Sequence, residues 1–232
     1  MSDDPEYSSP ETPFNNLPPM VIAIALVLGG IELVFQIGSF GLIGGPDAIG
    51  WRIAAIEDYG FFDSIFEAMR AQGTWPLEHV MRFFTYAFVH YSMLHALMVI
   101  VFILALGKMV GETFGNFAVL LIFVISALAG SLAYGLILTT NVQLVGAYPA
   151  AYGFIGAYTF ILWLGLGAMQ QNRVRAFTLI GFLMGIQLVF GLLFGGSPDW
   201  VADLAGFAAG FAVAALLVPG AFGRIMARLR QR

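Results

Sequence analysis

Four ionisable side chains stand inside long apolar stretches of this chain: Glu32, His90, His95 and Asp203. An ionisable group at bilayer depth is costly and nearly always has a partner or a role, so proton transfer or activation of a nucleophile would have to be sought at these positions. Each also has a plainer use. Glu32 suits snorkelling or helix packing, and a single histidine in an apolar helix is commonly satisfied by a carbonyl. His90 and His95 are five residues apart, which does not stack them on one helix face. A two-histidine metal site is therefore not expected, and no cofactor is implied. The chain has no Cys, which removes thiolate ligands and a thiol nucleophile. Of the serines only Ser92 lies beside the histidines in sequence, at a separation that brings no hydroxyl onto an imidazole. Ser126 and Ser131 read as small packing residues.

Asp203 opens the segment Val201-Ala202-Asp203-Leu204-Ala205-Gly206-Phe207-Ala208-Ala209-Gly210. Gly206 and Gly210 form a small-xxx-small seam that lets another backbone approach closely. A carboxyl one turn from that seam faces protein and must be hydrogen-bonded or protonated. A second such segment begins at Gly146-Ala147-Tyr148-Pro149, with Gly153 and Gly156 following. Pro149 stands where a helix start tolerates the missing N–H. The two segments are expected to touch near their outer ends, bringing Tyr148 toward Asp203. The Tyr148 hydroxyl is expected within hydrogen-bond reach of Asp203 or His95.

The elements that carry these residues are membrane spans. The 232 residues are 59% hydrophobic and 10% charged, with net charge −4, whereas an ordinary soluble domain is about one quarter charged. A soluble globule, a disordered chain and a disulfide scaffold are thereby excluded. A hydrocarbon core about 30 Å thick requires about 20 helical residues, and six stretches qualify: 18–40, 83–107, 116–138, 149–169, 176–195 and 200–218. The fold class is an all-α polytopic membrane bundle. Residues 1–19 read as an acidic, Pro-rich disordered tail without the basic start of a secretory signal, and 219–232 as a basic tail. Between the first two spans, residues 41–80 interleave apolar and charged side chains at helical spacing, the pattern of amphipathic helices in the interface. Lys108, Arg173, Arg175, Arg224, Arg228, Arg230 and Arg232 fall on one side of a six-span chain, and Arg52, Arg70 and Arg82 on the other. The positive-inside rule places both termini in the cytoplasm, and the compact loops fit a bacterial inner membrane.

Several places together resemble the rhomboid intramembrane serine proteases, over residues 20–218. Met81-Arg82 is similar to the family's Trp-Arg motif, with Arg82 kept. His90-Tyr91-Ser92-Met93-Leu94-His95 is similar to its histidine pair, and Gly107-Lys108-Met109-Val110-Gly111-Glu112 to its Gly-x-x-x-Glu, with Glu112 displaced by one. The resemblance implies a six-helix rhomboid-like bundle with a large interfacial first loop. It also implies a Gly-x-Ser-Gly nucleophile at the fourth span, a His base in the sixth, and an oxyanion site completed by a His and an Asn from the second. At those places this chain reads Gly146-Ala147-Tyr148-Pro149, Asp203 and Val99, and only His95 of the chemical set remains.

Tyrosine, with an ordinary pKa of about 10, paired with aspartate, at about 4, makes a poor nucleophile and base. Val99 supplies no donor and Pro149 no N–H. The expected function is that of a pseudoprotease without catalytic residues, with Tyr148, Asp203, Val99 and His95 as vestiges. It would bind transmembrane helices of client proteins or serve as a subunit of a membrane assembly. Gly146, Tyr148, Pro149, His90, His95 and Asp203 are the candidate binding residues, and Arg82, Glu112, Gly206 and Gly210 the structural ones. Family membership alone would suggest a serine-type endopeptidase with an atypical site, and a small transporter is a further alternative, disfavoured because no inverted repeat is visible. Partners are the lipid bilayer and other transmembrane helices. A phosphate-binding Gly-rich loop with its Lys is missing and the glycines sit in spans, where they serve packing, so nucleotide and nucleic acid are not expected partners.

Overall fold

A computed structural model describes residues 17–140 and 142–218. The expected tails, apart from residues 17–19, and Asn141 lie outside the described residues. Among the described residues, six helices are long and apolar enough to cross a membrane. The first is α1 (Pro19–Ser39), which starts on a proline and buries Val21, Ile24 and Leu28. Its close partner is α6 (Met93–Phe114), where Gly107 and Gly111 face Val21 and Pro18 so tightly that any Cβ would intrude.

Between them the chain forms a 3-10 turn (Gly45–Gly50) and the short helices α2 (Trp51–Tyr59), α3 (Asp63–Gln72), α4 (Leu77–Val80) and α5 (Arg82–Thr85). The span expected over 83–107 is corrected here. Residues 82–88 form α5 and a separate 3-10 turn, and the helix begins only at Met93. The preceding run ends at Phe88, where Val89 turns extended, and Ser92, also extended, caps α6 by accepting the His95 N–H on its Oγ at 3.2 Å. His90 therefore sits in the connection before the helix, not within it.

The remaining spans are α7 (Asn116–Ile137), α8 (Tyr148–Ala168), α9 (Thr178–Phe194, led by the 3-10 turn Arg173–Phe177) and α10 (Trp200–Leu217). Helices α8 and α10 meet backbone to backbone. A Cβ on Gly206 would fall 2.0 Å from the Pro149 carbonyl oxygen, and one on Gly210 would fall 2.0 Å from that of Gly153. Both glycines are thus fixed by the crossing. Among the described side chains of α9 only Ile180 is buried, and the helix exposes large apolar residues between Phe182 and Leu193.

Polar ties hold the first loop onto this bundle. Phe61 and Leu144 exchange both backbone hydrogen bonds, at 3.0 and 2.8 Å. The buried Asp63 carboxylate accepts the N–H groups of Ser64 and Thr140. Arg82 donates to the carbonyls of Glu57 (2.7 Å) and Gly60 (3.0 Å), closing α2 onto α5. Glu112 pairs with Lys108 at 3.8 Å, one turn away on an exposed face.

Glu32 neither snorkels nor stands alone. Its carboxylate takes a two-pronged contact from the Arg52 guanidinium, at 2.6 and 2.9 Å, and a third bond from Gln36 at 3.0 Å. Arg52 also donates to the His90 carbonyl at 2.8 Å and lies over the Phe35 ring. One guanidinium thus joins α1, α2 and the connection that carries His90.

Candidate functional site

The turn before α8 is shaped around the two histidines. Gly146 has φ +97°, and a Cβ there would lie 2.8 Å from His95 Cε1 and 3.3 Å from His90 Cδ2. Both the left-handed conformation and the space demand glycine. Its N–H donates to the Tyr86 carbonyl at 2.9 Å, and the Ala147 N–H donates to His90 Nε2 at 3.3 Å. His90 Nε2 is therefore the unprotonated nitrogen. Burial above all, then the neighbouring His95, push the His90 pKa from 6.5 down to about 4, so the ring is neutral. Because His90 lies outside α6, the two imidazoles approach to 5.5 Å between centroids, closer than five helical positions would bring them.

His95, in the first turn of α6, stacks on the Tyr148 ring with centroids 4.6 Å apart and planes 26° from parallel. The hydroxyl bond expected from Tyr148 to Asp203 or His95 gives way to this face-to-face contact. Asp203, 2% exposed in the first turn of α10, is held by a residue that sequence reasoning passed over: Gln187 of α9 donates through Nε2 to Asp203 Oδ2 at 2.9 Å. A lone amide in the middle of an apolar span was the signal for it. Asp199, one turn before Asp203, is the other addition. Burial raises its carboxyl above the ordinary range, against a hydrogen bond from Ser197 that acts the other way.

These groups surround a cavity of about 170 Å³ lined by His95, Leu144, Val145, Tyr148, Pro149, Gln187, Asp199 and Asp203. His95 Nδ1, Gln187 Oε1, Asp199 Oδ1 and Asp203 Oδ1 are all buried without a hydrogen-bond partner. Four of the six expected binding positions, Tyr148, Pro149, His95 and Asp203, line the cavity, while His90 and Gly146 support the turn behind it. Val99 is fully buried in α6 and is not part of the lining.

The model of the Rhomboid domain matches residues 77–220, more than half of the chain. The chain belongs to the rhomboid family. Among curated relatives, RHOMBOID-like protein 4 of Arabidopsis thaliana is 29% identical over 133 residues, 56% of this chain and 32% of its own length. RHOMBOID-like protein 1 of the same plant is 30% identical over 132 residues, 57% of this chain and 33% of its own. Rhomboid-like protease 3 of Toxoplasma gondii is 29% identical over 135 residues, 57% of this chain and 49% of its own. The chain thus spans about a third to a half of these relatives. Every residue lining the cavity lies inside the matched rhomboid domain, whereas Glu32 and Arg52 precede it.

Proposed function

We propose that this rhomboid protein does not hydrolyse peptides and instead binds transmembrane segments of other proteins laterally, as a pseudoprotease or as a subunit of a membrane assembly. The observation that carries this reading is the stacking of His95 on Tyr148 at the start of α8, where the family resemblance calls for a serine hydroxyl. A phenol lying flat on an imidazole directs no oxygen at a carbonyl held between them. The two backbone donors that precede it are also spent. Gly146 N–H goes to Tyr86, Ala147 N–H goes to His90, and Pro149 has none. Removal of one oxyanion donor costs other hydrolases about 100- to 1,000-fold, and here the nucleophile and imidazole base are replaced as well.

The name of the Toxoplasma relative denotes a protease. In this chain that activity would need a nucleophile other than Tyr148. Orientation with both termini in the cytoplasm of a bacterial inner membrane belongs to the same proposal and rests on the distribution of Lys and Arg. The test is incubation of the purified protein with a fluorogenic transmembrane substrate and with a fluorophosphonate probe. No cleavage and no adduct are expected. Cleavage abolished by Asp203→Ala, or a covalent adduct on any serine, overturns the proposal.

A further inference from the structure

The cavity between α6, α8, α9 and α10 has a chemical bias. Asp199, Asp203 and Gln187 line it, and their Asp199 Oδ1, Asp203 Oδ1 and Gln187 Oε1 are buried oxygens without a donor. Asp203 is 2% exposed and already takes its only donor, Gln187 Nε2, on its other oxygen. Among the described residues no Lys or Arg forms an ion pair with Asp199 or Asp203. Buried acceptors without donors, and buried carboxylates without a cation, are each costly. The deficit is therefore one of hydrogen-bond donors.

Beside the cavity runs a larger groove of about 650 Å³ between the end of α9 and the start of α10, and Gln187 and Asp199 line both. Leu192, 86% exposed, and Trp200, 40% exposed, stand on its rim. A chain lying in the groove can extend a side chain past Gln187 and Asp199 into the polar space behind.

We propose that this cavity receives the ammonium group of a lysine carried by a partner transmembrane segment seated in the α9–α10 groove. An ammonium is a compact cation with three donors and no acceptor, matching in number the three unpartnered oxygens. The lysine stem of four methylenes tolerates the apolar walls of the groove. The inference rests on the lateral-binding proposal and deepens it, because it states which residue selects the partner.

The test uses the full chain in lipid nanodiscs with a photoreactive residue at Leu192. Two synthetic transmembrane helices of about 20 leucine and alanine residues are compared, one with a single Lys one turn from its outer end, the other with Met there. A charged hydrogen bond made in a buried site adds about 1.5–3 kcal/mol, so the Lys helix is expected to be captured at least about tenfold better. Asp203→Asn is expected to bring it down to the Met level, and its thermal unfolding in detergent, compared with the unaltered protein, shows whether the variant is folded. Equal capture of both helices by the unaltered protein overturns the lysine inference, with water alone filling the cavity, and leaves lateral binding standing. Lysine preference that survives both Asp203→Asn and Asp199→Asn also overturns it. Capture of neither helix overturns both proposals.

Discussion

The imidazole of His95 and the phenol of Tyr148 lie face to face, 4.6 Å apart and 26° from parallel. An offset stack of this kind is favourable by about 0.5–1.5 kcal/mol beyond the area it buries. It also fixes Tyr148 in a rotamer that closes one wall of the cavity.

Restoring the family's residue types is therefore not expected to restore hydrolysis. The double variant Tyr148→Ser, Asp203→His brings back a hydroxyl and an imidazole, yet Val99 still supplies no donor and Pro149 still lacks an N–H. With two oxyanion donors missing at about 100-fold or more each, fluorogenic cleavage should stay below detection. Turnover by this double variant would show that the missing donors are not limiting.

The Glu32–Arg52 pair should behave as a buried pair rather than a surface one. The two side chains are 8% and 18% exposed, and the guanidinium also holds the His90 carbonyl. Glu32→Gln leaves Arg52 without its counter-charge, a loss of about 3–5 kcal/mol where a buried pair is broken. Adding Arg52→Met to that variant should recover a large part of it. Thermal unfolding in detergent measures both. Equal melting temperatures for the wild type and Glu32→Gln would place the pair in water.

The bundle could be read from composition because each span announces itself by apolar length, and the α8–α10 crossing because glycines four apart admit a backbone. Partners distant in sequence were not legible. Arg52 lies 20 residues from Glu32 and resembles any other charge of an interfacial helix, and nothing local assigns it inward. The start of α6 was misplaced by ten residues because Phe83 to Val89 is as apolar as the span itself, and only the four non-helical residues Val89 to Ser92 separate the two helical runs. Gln187 escaped notice because an amide carries no formal charge, although leaving it unpaired in an apolar span costs about 2–7 kcal/mol.

Glycine positions give the sharpest structural expectations. Gly146→Ala puts a Cβ 2.8 Å from His95 Cε1 at φ +97°, and a strained backbone of this kind costs about 1–3 kcal/mol before the clash is counted. Gly206→Val should be worse, since even its Cβ falls 2.0 Å from the Pro149 oxygen and the α8–α10 crossing has to open. Gly181→Ala, where nothing lies within 4 Å, is the control and should be neutral. Expression level and melting temperature in detergent are expected to rank Gly181→Ala above Gly146→Ala above Gly206→Val. A stable Gly206→Val protein would contradict the close crossing.

His90 ties acid sensitivity to the same turn. Its pKa is about 4 in the folded chain against 6.5 for an ordinary histidine, chiefly because it is buried. Above about pH 6.5 the ring is neutral whether the chain is folded or unfolded, and His90 adds no pH dependence. Between about 6.5 and 4 the unfolded chain takes up a proton that the folded chain refuses, so stability falls as the pH falls, by about 3 kcal/mol across the whole interval. His90→Gln keeps an acceptor for the Ala147 N–H but cannot titrate, so its melting temperature should decline less steeply over this range than that of the wild type. The carboxylates titrate in both proteins, and the difference between the two curves isolates the histidine. Parallel curves would mean that the ring accepts its proton without leaving Ala147, and that the imidazole is wetter than its 1% exposure implies.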